Sequence, residues 1–583
     1  MNALEAASLV MIPSGYEDGT LGSLKPTDGT GDFTFTRGSN ISATRVNADG
    51  NIEKGYENLL LQSNSFLTSP WSRYQSILTS GEVGYDGSSD AWKIQSNGAG
   101  LLSQSVSNQG VSVCSFYAKS GTTNWVKIRL FGDTTTYSNF DLNPDTTGSR
   151  IGTSVNIIEA KTEDVGNGWF RCTILTNITL TSIRFQVMSG DNIDGVAGDN
   201  IYIQDAMLNQ GLVAYPYLET TTAPVAGGIL EDMPRLDYSG SCPALLLEPQ
   251  RTNLFTQSEY FGDSSWAKFN CTILTNTTST LSPTGYYSAS KIQENTATNS
   301  HGFGSANTQS NSGEQITFSA FIKAAERSWA TLRLYNGTTS IFAYYNLTDG
   351  TLGDIDAGGN ATIVSIGNGW YRCSLTITMN SSSANYPYIF IATENGVAIY
   401  EGTNGSGIYV YGLQFEQDAT YPTSYIPTYG VSQTRLADDL ELPSLSSVFD
   451  SSGDYTILFE VERLAATNES QFLYIRSSSF NYITLTATSG GKCEIVLFDG
   501  ATGASALTPT NSFVTGNSIK IAVKISGNNC SAFANGAELT LSLANTIPRG
   551  FDRYQNNRNH LKHQEVYIPT ALSDEACIEL TTI

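Results

Sequence analysis

The residues best suited to hold an ion form an oxygen-rich loop in the first half of the chain. Asp191, Asn192, Asp194, Asp199 and Asn200 lie close together, directly before a strand-like apolar run. Carboxylate and amide oxygens are the hard ligands that Ca²⁺ prefers. The same composition is typical of a solvated acidic turn. The loop therefore predicts either a calcium site or an ordinary surface turn.

Candidate catalytic residues are scarce. Three histidines are present, His301, His560 and His563, and none lies in a recognisable nucleophile, zinc or general-base motif. His560 and His563 have metal-like spacing, but the polar segment around them offers no visible third ligand. Paired glycosidase carboxylates are defined by their separation in space, which a sequence does not give. We assign no catalytic residue and expect a protein that is not an enzyme.

Aromatic side chains are natural platforms for sugars, because a planar ring covers the apolar face of a pyranose. Six of the seven tryptophans fall into pairs within a repeated pattern: Trp71 with Trp266, Trp125 with Trp329, and Trp169 with Trp370. Matched positions favour shared packing over contacts with a ligand. The unpaired Trp92 alternates with Ile94, which also predicts an inward position. The sequence therefore identifies no ligand-binding residue.

The pairs of tryptophans belong to an internal duplication, which defines the folding unit. Residues 166–172, Gly-Asn-Gly-Trp-Phe-Arg-Cys, match residues 367–373, Gly-Asn-Gly-Trp-Tyr-Arg-Cys. Residues 58–63 likewise match 253–258, and residues 125–131 match 329–335. We divide the chain into an N-terminal segment (1–57), repeat A (58–225), a linker (226–252), repeat B (253–430) and a C-terminal domain (431–583).

Composition and periodicity predict an all-β fold. The chain of 583 residues is too long for a single core and is rich in Thr, Ser, Gly, Asn, Tyr and Phe. Apolar residues alternate over short runs, as at Val126, Ile128 and Leu130, which is the period of half-buried strands. The Gly-Asn-Gly triplets are hairpin signals. Tandem jelly-roll β-sandwiches are the economical architecture for the repeats.

Charge and hydropathy exclude several classes of function. A net charge of −23 repels a polyanion, so we expect no direct binding of nucleic acid. Nowhere do about 18 consecutive apolar residues occur, so we expect no membrane insertion. The short apolar run near the N-terminus has no positive residue before it, unlike a secretory signal. The eight cysteines form no close metal-type pair, which favours reduced, buried thiols.

Each repeat resembles a known kind of jelly roll. The opening Asn-Leu-Leu at residue 58, the Trp that follows it and the closing Ile-Tyr-Ile-x-Asp at 201–205 resemble carbohydrate-binding modules of the galactose-binding-like type. In that family these are the first and last core strands, and related jelly rolls often hold a structural Ca²⁺. The resemblance implies that Asp205 joins Asp191, Asp194 and Asp199 as a calcium ligand. Gly412 occupies the position of Asp205 in repeat B. No further cofactor is implied.

The segments outside the repeats resemble short modules common in phage virion proteins. These segments are residues 32–37 with 44–53, residues 234–238 leading into 245–254, and residues 421–428. In the C-terminal domain, residues 531–537 resemble the strand and turn of a concanavalin-like, laminin-G-type β-sandwich. Residues 571–580 resemble the tail often found after such domains in phage proteins, and Ser573 there is a candidate helix cap.

These resemblances imply a structural protein of a bacteriophage particle, a tail fibre, head fibre or other surface appendage that adheres to host or environmental glycans. It would be assembled in the host cytoplasm and exposed on the virion surface with other virion proteins as partners. A homotrimer is the family expectation. One alternative is a purely structural decoration or connector protein of head or tail. Another is a glycan depolymerase, although the short-period β-helix usual in such phage enzymes is not visible.

The N-terminal segment is too short and polar to hold a large core, yet it has strand-like Phe33 and Phe35. Arg37 and Arg45 flank a Gly/Ser/Asn turn, which indicates a hairpin. We expect this hairpin to pack on the first jelly roll or to extend a sheet of a neighbouring subunit. The segment would then mediate attachment or assembly.

Overall fold

The structure, a computed structural model, describes residues 3–17, 19–39, 41–143, 150–152, 156–240, 242–305, 308–464, 470–477, 480–488, 490–543, 545–555 and 560–583. It confirms the all-β prediction, with three short helices and fifty strands among these residues. The described residues contain no helix with the length and apolar character needed to cross a membrane.

The N-terminal segment is a series of short strands. It contains α1 Ala3–Ala6, β1 Leu9–Met11, β2 Tyr16–Glu17, β3 Thr20–Leu21, β4 Phe33–Thr36, β5 Thr44–Val46, β6 Ile52–Lys54 and β7 Tyr56–Asn58.

Repeat A forms a sandwich whose two layers share one long strand. Its strands are β8 Ser72–Glu82, β9 Ala91–Asn108, β10 Ser112–Ser120, β11 Trp125–Gly132, β12 Thr135–Asp141, β13 Arg150–Gly152, β14 Ile157–Gly166, β15 Trp169–Thr176, β16 Leu180–Gly190, β17 Ile193–Asp194 and β18 Asn200–Gln210. The first half of β9 pairs with β18 and its second half with β16, so the layers join into one eleven-stranded sheet. Nine of its strands follow the order β13-β12-β11-β16-β9-β18-β10-β15-β14, while β8 pairs with β9 and β17 pairs with β16 beside this path.

The stretch between the repeats also forms strands. These are β19 Val225–Gly227, β20 Leu236–Asp237, β21 Ala244–Leu247 and β22 Arg251–Asn253. β19 pairs with β7, so the entry and exit of repeat A lie side by side.

Repeat B forms two separate six-stranded sheets, β23-β27-β36-β30-β31-β32 and β24-β25-β38-β29-β34-β33. Its strands are β23 Ala267–Phe269, β24 Cys271–Leu274, β25 Ser290–Glu294, β26 Thr298–Asn299, β27 His301–Gly304, β28 Thr308–Ser310, β29 Gln315–Ala324, β30 Trp329–Tyr335, β31 Ser340–Asn346, β32 Thr351–Ile355, β33 Gly359–Ser365, β34 Trp370–Thr378, β35 Ser383–Asn385, β36 Tyr388–Ala392, β37 Tyr400–Glu401 and β38 Gly407–Gln417.

The C-terminal domain is a third sandwich. It contains β39 Gln433–Arg435, β40 Asp439–Glu441, α2 Leu445–Val448, β41 Tyr455–Arg463, β42 Ser470–Arg476, β43 Asn481–Thr488, β44 Lys492–Asp499, β45 Gly503–Leu507, β46 Ser518–Ser526, β47 Asn529–Ala534, β48 Ala537–Leu539, β49 Arg553–Gln555, β50 His560–Ile568 and α3 Asp574–Thr581. Its sheets run β20-β21-β50-β41-β46-β47-β48 and β45-β44-β43-β42-β49. Ser573 caps α3 as predicted, because its hydroxyl accepts a hydrogen bond from the amide of Ala576.

The duplication extends to buried polar contacts. The amides of Asn58 and Asn253 are fully buried at the start of each repeat. Asn58 donates to the carbonyls of Ala206 and Leu218, and its oxygen accepts from two backbone amides. Asn253 makes the same four kinds of contact in repeat B. This side chain joins the first and last strands of each sandwich, which accounts for its recurrence in the sequence.

The Gly-Asn-Gly turns confirm the hairpin prediction. Asn167 and Asn368 have φ of 56° and 53°, and each lies between two glycines that also have positive φ. Glycine and asparagine tolerate this left-handed region better than other residues. The turns connect β14 to β15 and β33 to β34.

The N-terminal hairpin does not lie where the sequence predicted. It is formed by β5 and β6, so its turn falls at residues 47–51 rather than between Arg37 and Arg45. Ile52 packs against Phe321 and Trp370 of repeat B, not against repeat A. The rest of the segment belongs to the third sandwich: β1 pairs with β50, and Phe33 is buried in that core. The strands of the N-terminal segment therefore find pairing partners within this chain.

A buried ion cluster joins the segments that surround the repeats. Its members are Arg37, Arg235, Glu248, Arg435 and Asp438, and none of their side chains is more than 2% exposed. Oε2 of Glu248 lies 2.9 Å from Nη1 of both Arg235 and Arg435. Asp438 pairs with Arg235 and, at 3.4 Å, with Arg37. The three arginines come from distant parts of the sequence. The cluster therefore connects the N-terminal segment, the linker and the start of the C-terminal domain.

Candidate functional site

The outer face of one sheet of repeat B has the properties of a ligand-binding surface. In β30, Ala330, Leu332 and Leu334 are fully buried in the core. Side chains alternate along a strand, so the intervening Thr331 and Arg333 point to the opposite face. The same alternation places aromatic residues of β31 and β36 on that face.

Arg333 lies at the centre of this outer face. It is directly opposite Phe342 of β31 and Tyr388 of β36. Its guanidinium carbon lies 5.9 Å and 5.0 Å from the centroids of these two rings. Its Nε and Nη2 donate to the hydroxyl of Ser340 at 2.9 and 2.7 Å. Burial lowers the pKa of Arg333, although a guanidinium remains charged at neutral pH.

A second row of side chains flanks Arg333. Thr331 lies between Tyr344 and Phe390 in the register of the three strands. The next strand, β27, contributes Gly302 opposite Phe390. A Cβ atom on Gly302 would lie 2.1 Å from the carbonyl oxygen of Ile389 and 2.8 Å from the ring of Phe390, so the close approach of β27 and β36 requires glycine there.

These residues line an open cavity of about 530 Å³. Its wall consists of Ser300, Arg333, Ser340, Phe342, Tyr344, Phe390 and residues 396–399. The half-buried rings of Phe342 and Tyr344 offer apolar faces, while Arg333 and the hydroxyls offer directed hydrogen bonds. This combination suits a polar ligand with an apolar face, such as a saccharide.

The sequence predicts no saccharide-binding residue, and the tryptophans are the aromatic residues that it offers as candidates. Trp169 and Trp370 are each only 1% exposed, and Trp71, Trp92 and Trp266 lie in the sandwich cores. The signal that could have identified the face is the alternation Phe342/Tyr344 and Tyr386/Tyr388/Phe390. It places aromatic side chains on the side of each strand opposite the apolar core positions.

The four carboxylates expected to bind calcium are not brought together. Asp191 accepts a hydrogen bond from Asn139, and Asp194 accepts one from Gln186. Asp199 accepts from the hydroxyl of Ser189 and the amide of Val196. In the part of the chain that the structure describes, no three His, Cys, Asp or Glu side chains form a group that could hold a metal ion.

Asp205 lies in β18, in a different environment from the other three carboxylates. It accepts a hydrogen bond from the hydroxyl of Tyr85 at 3.1 Å. Burial raises the pKa of Asp205 to about 7; the hydrogen bond from Tyr85 opposes this increase, and the nearby Asp86 and Asp90 add to it. The structure thus places Asp205 beside residues of the β8–β9 connection.

Within the described part of the chain, none of the three histidines belongs to a group of three side chains that could hold a metal ion. Nδ1 of His301 is 2.9 Å from the carbonyl oxygen of Asn270, inside repeat B. His560 is buried in β50, whereas Nε2 of His563 lies 3.6 Å from a carboxylate oxygen of Glu462. No catalytic residue is assigned from this arrangement.

No protein-family model matches the chain, and no curated protein matches it. Among solved structures, the chain is similar to the CBM40 domain of a Ruminococcus gnavus IT-sialidase bound to α2,3-sialyllactose. The identity is 17%, the match covers 24% of this chain and 86% of that one, and the TM-score is 0.21. A tandem CBM22 domain of Paenibacillus barcinonensis Xyn10C has 13% identity, 65% and 99% coverage and a TM-score of 0.21. Mouse laminin α1 domains LG4-5 have 12% identity, 48% and 92% coverage and a TM-score of 0.17. Scores this low do not establish a shared ligand.

Proposed function

We propose that this chain is a structural protein of a bacteriophage particle, a fibre or other surface appendage that adheres to glycans through the outer face of repeat B. The segments around the repeats, which resemble phage virion modules, support the particle assignment. The observation that carries the adhesive role is the position of Arg333, which lies between Phe342 and Tyr388 in the sheet and lines an open cavity together with Phe342.

Adhesion through such a face requires only weak binding at each individual site. A single shallow site binds a saccharide weakly, and several copies on one particle raise the overall avidity. The family expectation of a homotrimer would supply this multiplicity, with other virion proteins holding the trimer on the particle. In this proposal the protein binds glycans without cleaving them.

A glycan array probed with the full-length protein tests the adhesive role. We expect binding to a defined set of saccharides, and Phe342→Ala and Tyr388→Ala should each reduce the affinity for them by about tenfold. Tyr74→Ala is the matched control, because Tyr74 is an aromatic residue of repeat A that is 61% exposed and lies outside this face. The absence of array binding, or equal effects of all three substitutions, would contradict adhesion through repeat B.

The second candidate is a decoration or connector protein without a glycan ligand. The observation that favours it is the pairing of β1 with β50, which makes the N-terminal segment part of the C-terminal sandwich. Together with the buried ion cluster, this pairing suits a rigid spacer. Imaging of labelled protein on whole particles, combined with a negative glycan array, would favour this function.

A further inference from the structure

The outer face of repeat A corresponds in register to the glycan-binding face proposed for repeat B, but its chemistry differs. Arg129 occupies the position of Arg333, since both lie four residues after the matching tryptophan. Arg333 faces Tyr388 across the sheet, whereas Arg129 faces Arg184. Two arginines in directly opposite positions repel each other, because the Cβ atoms of such a pair lie about 5 Å apart.

No carboxylate compensates this pair among the residues that the structure describes. Neither Arg129 nor Arg184 makes an ion pair there, and the Nε atom of each is buried without a hydrogen-bond partner. By contrast, the fully buried Arg235 and Arg435 both face Glu248. Two neighbouring arginines without a carboxylate partner are unusual in a chain with a net charge of −23.

A third cation, the buried Lys127, lies beside this pair, and aromatic rings flank the cations. Lys127 is two residues before Arg129 on the same face, and its ammonium donates to Asn192 at 2.7 Å. Burial and the nearby Arg129 lower the pKa of Lys127, while Asp191 and Asp194 raise it. The guanidinium carbon of Arg184 lies 4.7 Å from the ring centroid of Phe131, and the Lys127 ammonium lies 5.0 Å from that of Tyr137.

We propose that Arg129 and Arg184 form a binding site for an acidic saccharide, whose carboxylate would bridge the two guanidinium groups. Guanidinium groups bind carboxylates through paired, charge-assisted hydrogen bonds. The side chains of Arg129 and Arg184 are partly exposed, so their terminal Nη atoms are the donors in this proposal. Phe131 and Tyr137 would contact the sugar ring. This site rests on the proposed glycan-binding function and specifies a separate ligand class for repeat A.

Calorimetric titration of the full-length protein with trigalacturonic acid, and with its carboxyl-reduced neutral counterpart, tests the site. We expect the acidic trisaccharide to bind at least about tenfold more tightly at low ionic strength and to weaken as salt is added. Arg129→Gln with Arg184→Gln should reduce this affinity at least about tenfold. Arg73→Gln with Lys161→Gln removes the same charge from exposed positions of repeat A and should leave the affinity within about twofold.

A second measurement separates a binding role from a structural one. Without ligand and at low salt, Arg184→Gln alone should raise the thermal midpoint by about 1 °C, because it removes the repulsion between the two arginines. Near-ultraviolet circular dichroism checks that each variant keeps its fold.

Three results would overturn the site: equal binding of the acidic and neutral trisaccharides, equal losses in the two double variants, or binding of trigalacturonic acid no tighter than that of sodium sulfate. The last result would indicate a site for a free inorganic anion. Failure of this site is distinguishable from failure of the proposed function, because glycan binding that Tyr388→Ala weakens depends on repeat B alone.

Discussion

The ammonium nitrogen of Lys54 lies 2.6 Å from Oε1 of Glu259, and both side chains are at least 96% buried. Lys54 ends the N-terminal hairpin, whereas Glu259 belongs to repeat B. The Lys54 ammonium also donates to the hydroxyls of Tyr411 and Tyr429 at 3.2 and 2.7 Å. Burial lowers the pKa of Lys54, and Glu259 opposes that shift. The pair therefore joins the N-terminal segment to the second sandwich.

Lys54→Met should destabilise the protein strongly, because it leaves the buried carboxylate of Glu259 without its cation. We expect a loss of about 3–5 kcal/mol in the free energy of unfolding, measured by chemical denaturation. The double variant Lys54→Met with Glu259→Gln should recover part of this loss, since no charge then remains buried. A loss below about 1 kcal/mol in the single variant would contradict the buried pair.

The buried ion cluster should make stability depend on acid pH. Burial alone would raise the pKa of Glu248, but Arg435 and Arg235 lower it to about 2 from an ordinary 4.5. A carboxylate with a lowered folded-state pKa stabilises the fold above its unfolded pKa, and this contribution is lost as pH falls from about 4.5 to 2. The contribution is about 3 kcal/mol.

Unfolding measured as a function of pH tests the contribution of Glu248. Glu248→Gln should flatten the stability curve between pH 4.5 and 2, besides weakening the protein at neutral pH. Glu163→Gln, at an exposed carboxylate of repeat A, is the control and should leave the curve unchanged. Parallel curves for wild type and Glu248→Gln would show that Glu248 does not titrate as the structure indicates.

The tryptophans after the Gly-Asn-Gly turns should contribute to stability rather than to ligand binding. Trp169→Ala and Trp370→Ala should each reduce the free energy of unfolding by about 3–5 kcal/mol, because each removes a fully buried aromatic ring. The exposed Tyr74→Ala should change it by less than about 0.5 kcal/mol. Loss of glycan binding with unchanged stability in either tryptophan variant would reverse this interpretation.

Deletion of residues 1–57 should unfold the third sandwich. The deletion removes β1, which pairs with β50, and Phe33 and Phe35 from the core. We expect loss of the near-ultraviolet circular dichroism of the C-terminal domain and rapid proteolysis within 431–583. Residues 58–225 expressed alone should still fold, since repeat A has its own core. A truncated chain that resists proteolysis throughout would contradict this dependence.

The duplication made much of the fold predictable. A residue that recurs at the same place in two copies, such as Asn58 and Asn253, is under the same local constraint in both, and the structure shows this constraint as four identical hydrogen bonds. The positive φ of Asn167 and Asn368 is equally local, because the turn is set by its own residues. Alternation likewise predicted which side of β11 is buried, since Val126, Ile128 and Leu130 all lie in the core.

The sequence thus determined the strand content, the two repeats and the inward position of most tryptophans, because these depend on neighbours along the chain. Only the tertiary structure decided which surfaces meet. Lys54 and Glu259 are far apart in sequence, as are Arg37 and Asp438, and no local pattern indicates that such charges will be buried together. The opposition of Arg129 and Arg184 was likewise invisible, because strand register between β11 and β16 depends on the packing of the whole sheet.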